Sequence, residues 1–509
     1  MKRFFFVQII LLSAALLLHC QKTSNPGDAA IAMHYPQLQT NLPVINDASR
    51  IAFGDLMTNV QLYKNGLLQK PSFVIFAGLD YNRPWTRDAS INAWNGASLI
   101  IPKVSENTLL SVLKKDDDEI QIDGQYWDCI VWATGAWNHY LYTGDKEFLD
   151  IAYKATKNTL RHLEETEFDP KYHLFRGPGW SDGIAAYPDF YANTNGESGI
   201  LCWPKYNADK ISRPGYGIPM MAMSTNCLYY NAYVVAQKMA AALGLAHNGK
   251  YLEKAEKLKK AINERLWDKE TKTYNFFIDP YNDYHYQEAL GNAYAIIFGI
   301  AGERQKKLIF INQHVAPAGV PCVWPNVPRY NSKDGMSFGR HSGTVWPQIQ
   351  GFWADAAARK GRVDIFSHEL FNLANHARRD KQFAEIYHPI TGQIYGGLQE
   401  RRPKGIVLWR ATSRQTWAAT AYIRMIYMGL IGMRFDTDGI RFQPCVPDKF
   451  NEIKLTHFHY RNADIDIEII GQGNKIEHVT LNGKPAQEAF IPAKASSRQK
   501  IVIKMTEPF

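Results

Sequence analysis

Trp127-Asp128-Cys-Ile-Val-Trp132-Ala-Thr-Gly-Ala-Trp137-Asn-His-Tyr140-Leu-Tyr-Thr143-Gly144-Asp145-Lys146-Glu-Phe148-Leu149-Asp-Ile-Ala152 decides the fold. Apolar residues recur every three or four positions on both sides of Thr143-Gly144-Asp145, which is the period of one helix face. Thr143-Gly144-Asp145 separates two helices, and Asp145 suits the N-cap of the second. The stretch therefore reads as a helical hairpin, 124–143 followed by 146–166. Working outward, the same period appears in 89–101, 217–244, 249–267, 286–300, 342–359, 362–379 and 411–431. Long loops rich in Gly, Pro and Trp separate them at 170–215, 270–285, 316–341 and 381–410. Loops of that length inside a compact domain usually carry function. Helical pairs joined by alternating short turns and long loops suit a ring of hairpins with its loops gathered over one mouth.

The pattern changes after residue 431. Ile453-Lys-Leu-Thr-His-Phe-His-Tyr460, Ala463-Asp-Ile-Asp-Ile-Glu-Ile-Ile470 and Lys500-Ile-Val-Ile-Lys504 alternate apolar with polar, and Asn482-Gly483 is a hairpin turn signal. The expected fold is mainly α: a toroid of helical hairpins over 41–431, with a small C-terminal antiparallel β-domain over 432–509.

At the other end, Met1-Lys-Arg3 precedes an apolar run from Phe4 to Leu18. That run is short for a membrane span and reads as a signal peptide over 1–19. Leu17-Leu18-His19-Cys20 is similar to a bacterial lipobox. The expectation is an exported lipoprotein, periplasmic or at the cell surface, held to a membrane through lipid on Cys20, with 20–40 as its tether; a plain secretory signal is the simpler alternative. The other five cysteines are spaced irregularly with no CxxC, so neither a zinc site nor a disulfide framework is indicated. A net charge of +9 over 509 residues, with no basic run, argues against nucleic acid as a partner.

Two acids stand out on the loops. Gly179-Trp180-Ser181-Asp182-Gly183 carries Asp182 beside an indole, which would raise a carboxyl pKa and suit a general acid. Phe383-Ala-Glu385-Ile-Tyr387-His388-Pro389-Ile-Thr391-Gly392 carries Glu385 between aromatic residues. Two acids on distant loops are what glycoside hydrolysis needs. Aromatics make up 13% of the chain, including 13 Trp and 27 Tyr, and aromatic rings stack on the CH faces of sugars. Candidates for binding substrate are Trp85, Arg87 and Asp88 in Tyr81-Asn-Arg83-Pro-Trp85-Thr-Arg87-Asp88, with Trp127, Asp128, Trp180, Trp346 and Tyr387. Arg supplies a planar pair of donors for hydroxyls or a carboxylate; the plainer alternative is a buried Arg–Asp pair. Glu400, beside Arg401 and Arg402, rivals Glu385 but suits an ion pair better. Arg340-His341-Ser342-Gly343-Thr344 opens a helix and could hold an anion.

In combination these segments resemble the six-hairpin (α/α)6 glycosidases, most closely family 63 glycoside hydrolases and the glucosidase domain of glycogen-debranching enzymes. The resemblance rests on the Asp182 loop, Thr225-Asn226-Cys-Leu-Tyr229-Tyr-Asn231, His341-Ser-Gly-Thr-Val-Trp346-Pro347, Phe383 to Gly392, and Gln415-Thr-Trp417, in that order. It implies hydrolysis with inversion of an α-gluco- or α-manno-type glycoside, Asp182 as acid and Glu385 as base, with no metal and no cofactor. An inverting pair stands roughly 6.5–9.5 Å apart. The chain departs from the pattern in the extra Ser181 and in lacking room for a large N-terminal β-domain, since helices are expected from about residue 89. The alternatives are a phosphorylase on the same scaffold, a polysaccharide lyase, and a surface lipoprotein that binds carbohydrate without turnover.

Overall fold

The computed structural model describes residues 35–116, 119–211, 217–245 and 249–506. The expected signal peptide, Cys20 and most of the expected tether lie outside the described residues. Gly144 adopts φ +77° and its N–H bonds Tyr140 O, closing one helix, while the Asp145 carboxylate caps the next by accepting from Glu147 N and Phe148 N at 2.9 and 3.0 Å.

The helices form two rings. The inner ring contains α2 (Thr86–Asn92, continued to Ile100 through a π turn), α4 (Trp127–Thr143) and α6 (Met223–Ala242), then α8 (Ala289–Ile297), α10 (Pro347–Arg359) and α12 (Thr416–Arg424, continued to Leu430 by a π turn). Each packs on the next, and α12 returns to α2, so the ring closes. The outer ring contains α1 (Pro43–Thr58), α3 (Pro102–Ser111), α5 (Lys146–Thr166), α7 (Lys250–Arg265), α9 (Glu303–Asn312) and α11 (Val363–Asp380). Inner helices touch protein on nearly every side, so α4 and α10 are buried almost all round, whereas α5 and α7 bury a single stripe. An (α/α)6 toroid results. Its sixth pair joins the two ends of the helical region, because α1 packs between α11 and α12.

Three of these helices correct the sequence expectation. Among the described residues helices begin at Pro43, not near 89, and α3 and α9 were not expected. α3 and α9 have ten residues each and bury few of them, so their apolar period is faint. The tether is also corrected at its end: Gln37–Thr40, placed within 20–40, is a strand pairing antiparallel with Ile453–Thr456. The chain arriving at α1 thus covers an edge of 452–460 that would otherwise leave open backbone groups.

Strands follow the toroid from Met433 onward. The main sheet orders its strands 37–40, 452–460, 462–470, 496–505, 476–481, 484–486; its pairings are antiparallel except that between 462–470 and 496–505. Ile465, Ile467, Ile469, Ile501 and Ile503 point inward and join the core of the toroid. Cys129, Cys202, Cys227, Cys322 and Cys445 are free. Among the described residues no helix is long and apolar enough to cross a membrane, and no group of three His, Cys, Asp or Glu is placed to hold a metal.

Candidate active site

The Asp182 loop is tied down along its length. Thr225 Oγ1 donates to Pro178 O at 2.6 Å, Tyr187 OH to Ser181 O at 2.8 Å and Ile200 N to Asp182 O at 2.8 Å. The additional Ser181 serves the turn: its hydroxyl accepts from Gly183 N at 3.1 Å. The Glu385 loop runs beside the residues leading into α12. Glu385 N donates to Thr412 O at 3.0 Å, and Thr412 N donates back to Glu385 Oε2 at 2.9 Å.

Asp182 and Glu385 line one cavity of about 250 Å³. Each meets its own arginine. Arg87 Nη2 donates to Asp182 at 2.7 Å and its Nη1 to Asp128 at 3.2 Å. Arg340 Nη2 donates to Glu385 Oε2 at 2.7 Å, and its Nη1 to the carbonyls of Gly396 and Arg410. Glu385 Oε1 has no hydrogen-bond partner among the described residues. Gly396 and Gly397 make this approach possible. A Cβ on Gly397, where φ is +73°, would lie 2.2 Å from Arg340 Cα, and one on Gly396 1.6 Å from Trp409 O.

The walls are aromatic. His341 stacks on Trp346 at 4.9 Å, Trp180 meets Trp346 edge-on at 4.9 Å, and Trp417 meets Trp346 edge-on at 5.9 Å. Trp85, Trp409 and Tyr81 complete the lining, with Asp88, Gln399 and Gln415 between them. Gln415 Nε2 donates to Asp88 at 3.3 Å.

Charge at the site differs from the expectation for Asp182. Burial pushes its carboxyl up, but Arg87 first, then His341 to the extent that it is charged, and Arg340 outweigh burial, so the group is held below its ordinary value and not raised. Of its side chain 48% is open, and it opens into the cavity, which screens these forces. Burial drives His341 down to about 3, so it is neutral near pH 7 and adds no charge. Burial lifts Asp128 to about 6 despite Arg87, and lifts Asp88 well above the usual carboxylate range. Three aspartates thus surround one guanidinium, and they titrate as a coupled group.

Most residues expected at the substrate come together here: Trp85, Arg87, Asp88, Trp180 and Trp346 all line the cavity. Three do not. Trp127 is buried, and it and Asp128 border a side cleft of about 10 Å³, the space of one water. Asp128 is engaged by Arg87. Tyr387 is fully buried behind the loop, stacked on His376 at 4.7 Å, with its hydroxyl accepting from Ala384 N. It faces inward because Val345 pairs with Tyr387 through its backbone and fixes which side of the loop looks at the cavity. Glu400 is an ion-pair residue, but with Arg329 and not its neighbours Arg401 and Arg402, and its other oxygen accepts a hydrogen bond from Tyr330 OH. Arg340, read as part of an anion site, instead clamps Glu385. Gln399, Trp409 and Gln415 were not foreseen, since nothing local distinguishes a loop Gln or Trp that faces a cavity.

Residues 128–418 match the family described as mannosylglycerate hydrolase MGH1-like glycoside hydrolase domain, and residues 433–487 match the C-terminal domain of glycosyl hydrolase family 65. A solabiose phosphorylase of Paenibacillus borealis is 24% identical over 441 residues, 78% of this chain and 53% of the relative, so the chain spans about half that relative's length. Among solved structures, a sialidase superposes with a TM-score of 0.65 at 15% identity, over 96% of this chain and 44% of its own. A family 63 mannosylglycerate hydrolase from Thermus thermophilus, in complex with glucose, superposes with a TM-score of 0.56 at 15% identity, over 74% of this chain and 99% of its own. At such identity the two structures establish the six-hairpin fold. The family match covers more than half of the chain: it belongs to the mannosylglycerate hydrolase MGH1-like glycoside hydrolases.

Proposed function

We propose that this chain is an inverting glycoside hydrolase acting on an α-linked gluco- or manno-type glycoside. Asp182 protonates the leaving oxygen, and Glu385 takes a proton from the water that attacks the anomeric carbon from the opposite face. The observation that carries the reading is that these two carboxyls, from loops far apart in sequence, line the same cavity of about 250 Å³. One oxygen of Glu385 is held by Arg340 and Thr412 N–H, which leaves Oε1 to hold a water. The aromatic walls offer stacking faces to a sugar ring. The small volume favours a pocket for a terminal sugar over an open cleft.

Phosphorolysis is the competing reading, since a similar relative is named a phosphorylase. A buried carboxylate where phosphate would have to enter repels a dianion. Arg340, the nearest cation to that position, is already engaged by Glu385. Both features favour water as the nucleophile.

The test is a screen of p-nitrophenyl glycosides and oligosaccharides, with product anomers followed by NMR. Hydrolysis without phosphate, releasing the β-anomer from an α-substrate, is expected. Glu385→Gln and Asp182→Asn should each lower kcat by at least about 10²-fold. Turnover that requires phosphate and survives Glu385→Gln would refute the hydrolytic mechanism. The residues from Met1 to Cys20 support a further proposal of export with a lipid anchor on Cys20, which incorporation of labelled palmitate, lost in Cys20→Ser, would test.

A further inference from the structure

The Glu385 loop is held from an unexpected side. Asp55, on the outer helix α1, is 1% exposed and carries no contact with the cavity. Its Oδ2 accepts from Phe383 N at 2.7 Å, and its Oδ1 accepts from Arg414 Nη1 at 3.3 Å. Phe383 opens the loop that carries Glu385; Arg414 lies in the segment that feeds α12. Further bonds join the two segments: Gln415 N to Phe383 O at 2.9 Å, Arg414 N to Gln382 Oε1 at 3.0 Å, and the reciprocal pair between Glu385 and Thr412. Asn59, one helical turn after Asp55, donates to Arg414 O at 2.9 Å. Arg414 itself adopts φ +47°, a conformation an arginine keeps only when its surroundings hold it there.

We infer that Asp55 is a positioning residue for Glu385, gripping the two segments between which the carboxylate of the base is suspended. The inference rests on the reading of Glu385 as the base. The physical case is that burial pushes the Asp55 carboxyl up to about 7, with Phe383 N–H and Arg414 pulling it back only in part, so its bonds do not repay its desolvation and stability alone does not account for it; both of its partners lie on base-carrying segments. Removing it frees Phe383 N–H in a place water does not reach and releases Arg414. Thr412, which pairs with Glu385 through the backbone, then loses the register that aims its N–H at Glu385 Oε2. Misplacing a catalytic group by about 1 Å is enough to lower a rate about 10²-fold. Helix α1 lies outside the span matched by the family.

The experiment is a double-mutant cycle on whichever p-nitrophenyl glycoside the screen turns over. Asp55→Ala should lower kcat about 10–100-fold with KM changed by less than about 2-fold, the product anomer unchanged and the far-UV circular dichroism preserved. On the Glu385→Gln background, the same substitution should lower the residual rate by less than about 2-fold, because a residue acting through the base has nothing left to position. Equal factors on both backgrounds, or an unchanged kcat for Asp55→Ala while Glu385→Gln is inactive, would overturn the inference alone. A Glu385→Gln enzyme at full rate would overturn the base assignment, and the inference with it. If Asp55→Ala does not fold, Asp55→Asn keeps the volume and one acceptor while releasing Arg414; it should show the same pattern with a smaller loss, and equal factors on both backgrounds would again refute the role.

Discussion

On the proposed mechanism, substituting Asp128 should move the alkaline limb of the pH–rate profile to lower pH. Asp128 and Asp182 occupy the two terminal nitrogens of the Arg87 guanidinium, at 3.2 and 2.7 Å. Carboxylates bridged by one guanidinium stand on the order of 6 Å apart, a repulsion of roughly 3 kcal/mol at an effective dielectric of about 20. That would equal about 2 pK units, and because half of the Asp182 side chain opens to solvent, about 1 unit survives screening. Asp128→Asn removes the repulsion and leaves Arg87 undivided for Asp182. The acid then gives up its proton more readily, and the limb on which it must be protonated shifts down by about 1 pH unit. Asp128 is lifted to about 6 by burial, and because the two carboxyls titrate together the wild-type limb falls near that pH; wild type and variant should converge only at pH values below both limbs. The assay is kcat/KM across pH 4–9 on an aryl glycoside, with thermal melts as a folding control. A limb that stays in place, or moves upward, with the fold intact would refute the sharing of Arg87 as the control on Asp182.

Two further outcomes follow from close packing and from a buried acid. A Cβ on Gly183 would lie 2.5 Å from both Gln399 Oε1 and His341 Cε1, so Gly183→Ala should push His341 off Trp346, raise KM, and lower stability by about 1–3 kcal/mol in a denaturant melt. Glu288 is fully buried, and burial raises it to about 8 in the folded chain, against a value near 4.3 when unfolded. Its contribution to stability is complete below about pH 4.3 and is lost as pH rises through about 8. Glu288→Gln should therefore flatten the decline in melting temperature between pH 5 and pH 8.5, and a decline as steep as in the wild type would reject that account.

The hairpins were legible because inner and outer helices leave different marks. The outer face of 146–166 is polar and its Asp145 cap is local, so period and boundary could be read without neighbours. α3 and α9 left little mark, since short helices on the outside bury few residues. α1 could not be placed in the ring at all from sequence order, because its partners α11 and α12 come more than three hundred residues later. The loops that carry Asp182 and Glu385 were recognisable by Gly and Trp clustering. Which neighbouring side chain looks into the cavity was not, as Tyr387 illustrates: the bridge with Val345 turns it inward while Glu385, two residues away, faces out.

The amino-acid order alone determined the helical period, the change to strands after 431, and the two Gly- and aromatic-rich loops whose acids meet at one cavity, because each of these is written in spacing of a few residues. The electrostatics of the site came only with the tertiary structure. Arg87 reaches Asp182 across 95 positions and Arg340 reaches Glu385 across 45. The protonation of a carboxyl depends on charges within a few ångströms, and it is ring closure, not chain order, that decides which charges those are.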